Sequence, residues 1–285
     1  MTTFNTSFFI GTTSQLTSAN TIASSFSLNV TNGSKGYNLL IGITSKSYNP
    51  SSAQFSSIPL SVSLRSVSGV SNTSGGISGT IPLSEYPPNY TTLVSNAAKT
   101  GINNTATWTY DLILSPIGFT IPPGTYIYTV TVQYNDQGNV TINRTFTISL
   151  NVQSVVNVSL IQNSPATVNF GSSSAYVNGV TSLNFHSLQV QSNIPWLINV
   201  TAPQYFSAGS SGASSNMPCS IMAIRRNGSG TFVPLSTSSQ TLSTGVAGDN
   251  NAAGNTTSYD MQFNPGYDYN PGIYNISLTY TISSQ

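Results

Sequence analysis

Apolar and polar residues alternate along much of the chain with a period of two. Tyr126, Tyr128, Val130, Val132 and Tyr134 fall on one side of a strand, and Thr129, Thr131 and Gln133 on the other, with Ile127 the exception. Tyr274, Ile276, Leu278, Tyr280 and Ile282 likewise alternate with Asn275, Ser277, Thr279 and Thr281. Successive side chains of a strand point to opposite faces, so this pattern in β-branched and aromatic residues predicts half-buried strands. No segment sustains an apolar stripe at the helical period. Clusters of Gly, Pro, Asn and Ser separate the strands. The expected fold is all-β, made of antiparallel β-sandwiches of immunoglobulin-like or jelly-roll-like type.

The chain reads as an internal duplication. Residues 11–30 (GTTSQLTSANTIASSFSLNV) align without a gap on residues 171–190 (GSSSAYVNGVTSLNFHSLQV) at an offset of 160. Gly11/Gly171, Ser14/Ser174, Ser27/Ser187, Leu28/Leu188 and Val30/Val190 match. Further landmarks follow in the same order. IPLSVSLR from Ile58 answers MPCSIMAIR from Met217, and Trp108-Thr-Tyr-Asp answers Thr257-Ser-Tyr-Asp. Pro123-Gly-Thr-Tyr126 answers Pro271-Gly-Ile-Tyr274. Two tandem sandwich domains are expected, residues 1–153 and 154–285, since repeated units of this kind fold as separate sandwiches.

The repeats differ at their edges. The second has a strand-like lead-in, Val155 to Ile161, that the first lacks. The first instead carries an additional C-terminal strand over residues 139–152, in which Val140, Ile142, Phe146, Ile148, Leu150 and Val152 are apolar and Arg144 interrupts the row. A strand longer than the usual ~5–6 residues with an open edge invites pairing with another chain. It either completes its own sandwich, bridges the two domains, or pairs with another subunit. Val140, Ile142, Phe146, Ile148 and Leu150 are therefore candidate inter-subunit contacts.

Composition narrows the function. Among 285 residues there are seven Lys/Arg and six Asp/Glu, where a typical soluble domain of that length carries roughly 70 charges. The net charge is +1. No basic cluster is available to displace counterions, so nucleic acid is not an expected partner. The apolar runs are too short for a transmembrane helix. Apolar residues at 38% and aromatics at 10% supply a real core. His186, Glu85 and Cys219 are each the only residue of their type. No nucleophile elbow, phosphate loop or metal cluster is present, so neither an enzyme nor a cofactor or metal is expected. A chain with so few titrating groups should depend weakly on pH. With a single cysteine, no intrachain disulfide forms. Met1-Thr-Thr-Phe4 shows neither a basic nor an apolar leader region, which reads as a processed form or as exit by another route, for example within a virus particle.

Some positions are weighed individually. Asn-x-Ser/Thr sequons, candidate glycosylation sites in a host that modifies them, stand at Asn29, Asn32, Asn72, Asn89, Asn103, Asn139, Asn143, Asn199, Asn227, Asn255 and Asn275, and also at Asn5 and Asn157. Asp249-Asn-Asn-Ala-Ala-Gly254 mimics part of a calcium loop but lacks the closing Glu, and reads as a plain loop. Asp111 and Asp260 occupy matching Tyr-Asp positions, where a carboxylate bonds neighbouring amides. Trp108 and Trp196 read as core residues before sugar platforms. Arg225-Arg226 reads as a solvated turn. His186 matches Phe26 and so reads as a packing position.

The Pro-Gly-x-Tyr turns and their closing strands, Pro123-Gly-Thr-Tyr-Ile-Tyr-Thr-Val-Thr-Val and Pro271-Gly-Ile-Tyr-Asn-Ile-Ser-Leu-Thr-Tyr, resemble the β-sandwich repeats of secreted surface and filament proteins, the fimbrial pilins and the spore-coat-U-like group. The resemblance implies immunoglobulin-type folding, export and, in pilins, completion by a neighbour's strand. The chain departs from pilins in its two domains, its lack of paired cysteines and its short N-terminal stretch. The expectation is a non-enzymatic structural subunit of an extracellular filament or cell-surface assembly, associating with copies of itself through sheet edges. The alternatives are a virion surface or capsid protein and an adhesin that binds surface glycans.

Overall fold

The computed structural model describes residues 6–31, 33–49, 59–69, 75–85, 87, 89–137, 141–162, 167–228, 230–247 and 256–285. The chain is nearly all β and divides into two compact units, Met1–Ser154 and Val155–Gln285.

Unit 1 contains β1 (Thr6–Ile10), β2 (Asn20–Thr31), β3 (Tyr37–Asn49), β4 (Leu60–Ser68), β5 (Thr80–Pro82), β6 (Thr91–Ala97), β7 (Thr105–Leu114), β8 (Gly124–Asp136) and β9 (Thr141–Val152). One sheet runs β1-β9-β8-β3-β6 and the other β2-β7-β4-β5. Their inner faces meet. Phe26 of β2 lies 5.2 Å from Phe146 of β9, and the Trp108 Nε1–H of β7 donates to Tyr37 Oη of β3 at 3.0 Å. β9 pairs antiparallel with β8 along its whole length, and its last five residues pair parallel with β1. Of the three arrangements the sequence allows for the 139–152 strand, Thr141–Val152 completes its own sandwich, with Phe146, Ile148 and Leu150 buried in the core beneath it. Asn139 and Val140 lie outside the described residues.

Unit 2 contains β10 (Val156–Gln162), β11 (Val180–Ser192), β12 (Trp196–Thr201), β13 (Ser207–Ala208), β14 (Met222–Arg226), β15 (Val233–Pro234), β16 (Gln240–Gly245), β17 (Thr256–Phe263), β18 (Tyr274–Asn275) and β19 (Thr279–Ser284). One sheet runs β10-β11-β17-β14-β15, the other only β16-β12-β19, and β13 pairs with β18. The core is drawn from both larger sheets, with Trp196, Ile198, Ile224, Tyr259 and Met261 at its centre.

The landmarks of the alignment have physical causes that recur in both units. The helical turns α1 (Thr13–Thr17) and α2 (Ser173–Asn178), which periodicity does not announce, are too short to carry a stripe. The hydroxyls of Thr12 and Ser172 cap them, accepting from the amides of Gln15 and Ala175, where a helix start has unpaired N–H groups. In the closing turns, Tyr126 Oη donates to Pro122 O at 2.6 Å and Tyr274 Oη donates to Asn270 O. This tyrosine corner pins the turn that launches the strand. In β2 and β11 the pairing register shifts at a bulge whose residues Ser24 and Asn184 sit at φ 51° and 52°. L-residues adopt that region reluctantly. Asp111 and Asp260 hold the bulges by accepting the Ser24 and Asn184 amides at 2.7 and 3.0 Å. The carboxylates in turn meet Arg65 at 3.2 Å and Arg225 at 3.0 Å. Arg225 is thus no solvated turn residue: it lies in β14, where its guanidinium also covers the Phe232 ring at 4.3 Å.

The two copies of this device differ in burial. The Asp260 side chain is 1% exposed and that of Asp111 17%, while Arg65 is 48% exposed. Removing a buried, fully bonded carboxylate leaves unpaired donors out of reach of water, whereas an exposed pair contributes little. In urea titrations of the full chain, Asp260→Ala is expected to destabilise unit 2 by about 3 kcal/mol, and Asp111→Ala to destabilise unit 1 by about 1 kcal/mol.

Candidate functional site

The few ionisable groups are dispersed. Glu85 belongs to unit 1 and pairs with Lys46 at 2.6 Å. Cys219 is buried in unit 2 with its thiol against Leu235 O at 3.4 Å, and burial pushes its pKa up. Among the described residues no group of three or more His, Cys, Asp and Glu is placed to hold a metal, and no helix is long and apolar enough to cross a membrane. Asp249–Gly254 lie outside the described residues, as do Asn32, Asn72 and Asn255. Trp108 and Trp196 are buried. Asn89, Asn103, Asn143, Asn227 and Asn275 are exposed, and Asn29 and Asn199 are half-buried.

The distinctive geometry is instead at a sheet edge. In unit 1, Tyr126, Tyr128, Val130 and Val132 of β8 are each at most 1% exposed, because β9 lies alongside. Their counterparts in unit 2, Tyr274, Ile276, Leu278 and Tyr280, are all only half-buried, as is Ile282. β19 pairs with β12 on one side, and among the described residues no strand pairs with the other. The strand itself is broken. Where β8 runs unbroken for 13 residues, the same stretch of unit 2 gives β18, a gap at 276–278, and β19. A strand held from one side only keeps fewer main-chain bonds to fix its extended form.

A second segment shows the same deficit. In unit 1, β1 runs parallel to β9 with Phe8 and Ile10 buried. The matching stretch 167–170 of unit 2 keeps the alternation, with Val168 and Phe170 half-buried and Thr167 and Asn169 exposed, yet belongs to no strand. β1 and β8 flank β9, and in the alignment residues 167–170 match β1 and residues 274–284 match β8. Among the described residues of unit 2, the side of β19 away from β12 is unpaired, and its apolar side chains stand half-buried at alternate positions.

No family model matches the chain, and no curated protein matches it in sequence. Solved structures with detectable likeness include the CsuC–CsuE chaperone–tip adhesion subunit pre-assembly complex from the archaic chaperone-usher Csu pili of Acinetobacter baumannii, at 11% identity and TM-score 0.40 over 98% of this chain and 97% of that one. CfaE, the adhesive subunit of CFA/I fimbria of enterotoxigenic Escherichia coli, matches at 14% identity and TM-score 0.34 over 99% and 92%. The CupB6 tip adhesin from Pseudomonas aeruginosa matches at 12% identity and TM-score 0.34 over 93% and 86%.

His186 ties this edge to the opposite sheet. Its ring stacks on Tyr259 at 5.4 Å, and Nε2 shares a 2.7 Å hydrogen bond with Tyr280 Oη of β19. In unit 1 the position is Phe26, which stacks on Tyr110 at 5.1 Å and meets Phe146 of β9 in a tilted contact. The packing role read from the alignment is what the structure shows; the polar link to β19 is not visible in sequence. Burial lowers the His186 pKa to about 4 from its ordinary 6.5. Burial also pushes Tyr280 up, so its hydroxyl keeps its proton.

The pH dependence follows. Above pH 6.5 the imidazole is neutral in folded and unfolded chains alike. Between there and about 4 only the unfolded chain takes up the proton, so stability falls as pH falls. The full loss is roughly 3 kcal/mol. Asp260 acts in a lower window. Burial alone would raise its pKa, but the Asn184 amide, Asn227 and Arg225 outweigh burial and hold it below the usual carboxylate range. Its contribution is present above pH ~4 and fades as pH drops through the lowered value. Thermal melts of the full chain from pH 7 to 4 should show unit 2 losing stability, and His186→Phe should flatten that slope. An equal slope in the variant would show that another group titrates.

Proposed function

We propose that the chain is a non-enzymatic structural subunit of an extracellular filament or cell-surface assembly, pilus-like in construction, whose copies join by adding a strand to a sheet edge. The reading is carried by one contrast: the apolar row that lies buried under β9 in unit 1 is left half-exposed on β19 and its lead-in in unit 2. An added strand gains main-chain hydrogen bonds along its length and buries alternate side chains, and neither contribution needs charge. That suits a chain with so few charged residues. Association of this kind should vary little with salt, because β19 and its lead-in from Tyr274 carry no charged residue.

The β8–β9 hairpin supplies the test. Tyr134 and Ile282 are equivalent, so Gln285 corresponds to Gln137, and a copy of residues 138–152 appended after Gln285 reproduces the hairpin on unit 2. The extended chain is expected to be monomeric by light scattering. It should bury about 200 Å² more apolar surface, adding about 5 kcal/mol to unit 2 and raising its Tm by roughly 20 °C. The chain without the extension should form fibres or oligomers with rising concentration, visible by electron microscopy. If both chains stay monomeric and melt together, the edge at β19 is not an assembly site.

A further inference from the structure

The loop that leads into the corner turn differs between the units. Counted back from the corner tyrosines Tyr126 and Tyr274, Phe119 corresponds to Tyr267, Thr120 to Asp268 and Ile121 to Tyr269. At the offset of 160, Leu16 of α1 corresponds to Tyr176 of α2, and Ala19 to Gly179. In unit 1 this end of the sandwich is sealed. Leu16, Phe119 and Ile121 are buried, and Leu16 O accepts the amides of Ile117 and Gly118 at 3.1 and 2.9 Å. In unit 2 only Tyr269 of the two loop tyrosines packs against the core. Tyr267 turns outward: it is 65% exposed, where Phe119 is 1% exposed. One face of its ring stacks on Tyr176 at 5.4 Å, with 15° between the planes, and Tyr176 meets Phe170 in a tilted contact at 5.5 Å. The Tyr267 hydroxyl donates to Ser173 O at 3.1 Å. The ring is thus clamped from behind and by its hydroxyl, with its other face open to solvent. Polar groups share the loop. Gly179, at φ 72°, lies against Asn264; the Cβ that Ala19 carries in unit 1 would collide there with the Asn264 side chain. Asp268 is exposed, and its Oδ2 lies 3.8 Å from the place a Cβ would take on Gly266, in the turn that carries Tyr267.

We infer that Tyr267 is the platform of a carbohydrate-binding site on unit 2, and that its ligand is a neutral pyranose with equatorial hydroxyls, such as a β-linked glucose residue of a polysaccharide. A pyranose of this kind presents a flat face of C–H groups ringed by hydroxyls. The C–H groups, slightly positive, pack on the negative face of an aromatic ring. The hydroxyls at the rim need donors and acceptors, which the Asp268 carboxylate and the Asn264 amide supply. A purely apolar partner would strip water from those groups and return no hydrogen bond. An acidic sugar is opposed by Asp268, because residues 167–179 and 263–274 contain no Lys or Arg to answer its charge. A platform open on one side covers a single face of the sugar, so the affinity of one site is low. Tyr267 and Asp268 belong to neither β18 nor β19, so the site stands apart from the open side of β19.

The test uses the full chain and cellotriose, read by saturation-transfer difference NMR, which registers weak binding. Saturation is expected to reach the ring C–H protons of cellotriose, to reach the C6-carboxylate analogue of cellotriose far less, and to leave the acyclic polyol sorbitol untouched. Tyr267→Ala should abolish the transfer and Tyr267→Phe should keep it, because the platform needs the ring and not the hydroxyl. Asp268→Ala, at an exposed position, should weaken cellotriose binding about fivefold through the lost hydrogen bond. It serves in place of Tyr267→Ala should that variant shift the melting curve. A polyproline peptide, the protein ligand that an aromatic surface would also hold, is run beside the sugars. The assignment is overturned by no transfer to cellotriose, by equal transfer to sorbitol or to the carboxylate analogue, by transfer indifferent to both Tyr267→Ala and Asp268→Ala, or by binding of the peptide in place of the sugar. The outcome is independent of the hairpin extension, which leaves Tyr267 and Asp268 unchanged.

Discussion

Main-chain pairing of the closing strand is the interaction on which unit 1 depends. β9 bonds to β8 on one side and to β1 on the other, and only with it in place does the row Tyr126, Tyr128, Val130, Val132 become interior. Fully burying a side chain of this size contributes about 1.5–3 kcal/mol, so one strand of 12 residues accounts for a large share of a domain's marginal stability. The same pairing explains continuity: β8 is extended over 13 residues because both of its edges are bonded. In unit 2, where among the described residues no strand pairs with the outer side of β19, the counterpart strand is shortened and interrupted while the sequence keeps the alternation.

The all-β class was legible because alternation survives in strands that are fully paired and in strands that are not. The side-chain pattern is set by which face meets the core, and β19 still places Tyr280 and Ile282 inward. The matched Tyr-Asp positions were legible as amide-binding carboxylates for a similar reason: a short polar side chain in a strand competes for nearby backbone groups. Which strands pair with which was not legible. The sequence marks the 139–152 strand as long and edge-like, but only the fold shows its central apolar residues facing Phe26 and its end beside β1. The open side of β19 was visible solely as a mismatch between repeats, in the strand over 139–152 that sets the first apart from the second. Arg225 was read as solvated because sequence does not reveal that a carboxylate sits opposite it on β17.

His186 changes one inference drawn from composition. A chain with so few titrating groups is expected to depend weakly on pH. A single imidazole placed between Tyr259 and Tyr280 is different, because its protonation is opposed by burial. The sensitivity therefore lies in unit 2 and is tied to β19, the strand that also carries the open edge. Phe26 fills the equivalent site in unit 1 without that liability.

The scarcity of charge and the open side of β19 fit one physical scheme. Exposed sheet edges usually need Lys or Pro to keep them from pairing with other chains. Pro is absent from β19, which carries no charged residue. Edges without such guards pair with strands that match their alternation, and a one-residue slip would turn every apolar side chain outward. Register is thus fixed by the side-chain pattern, while affinity comes from the main chain.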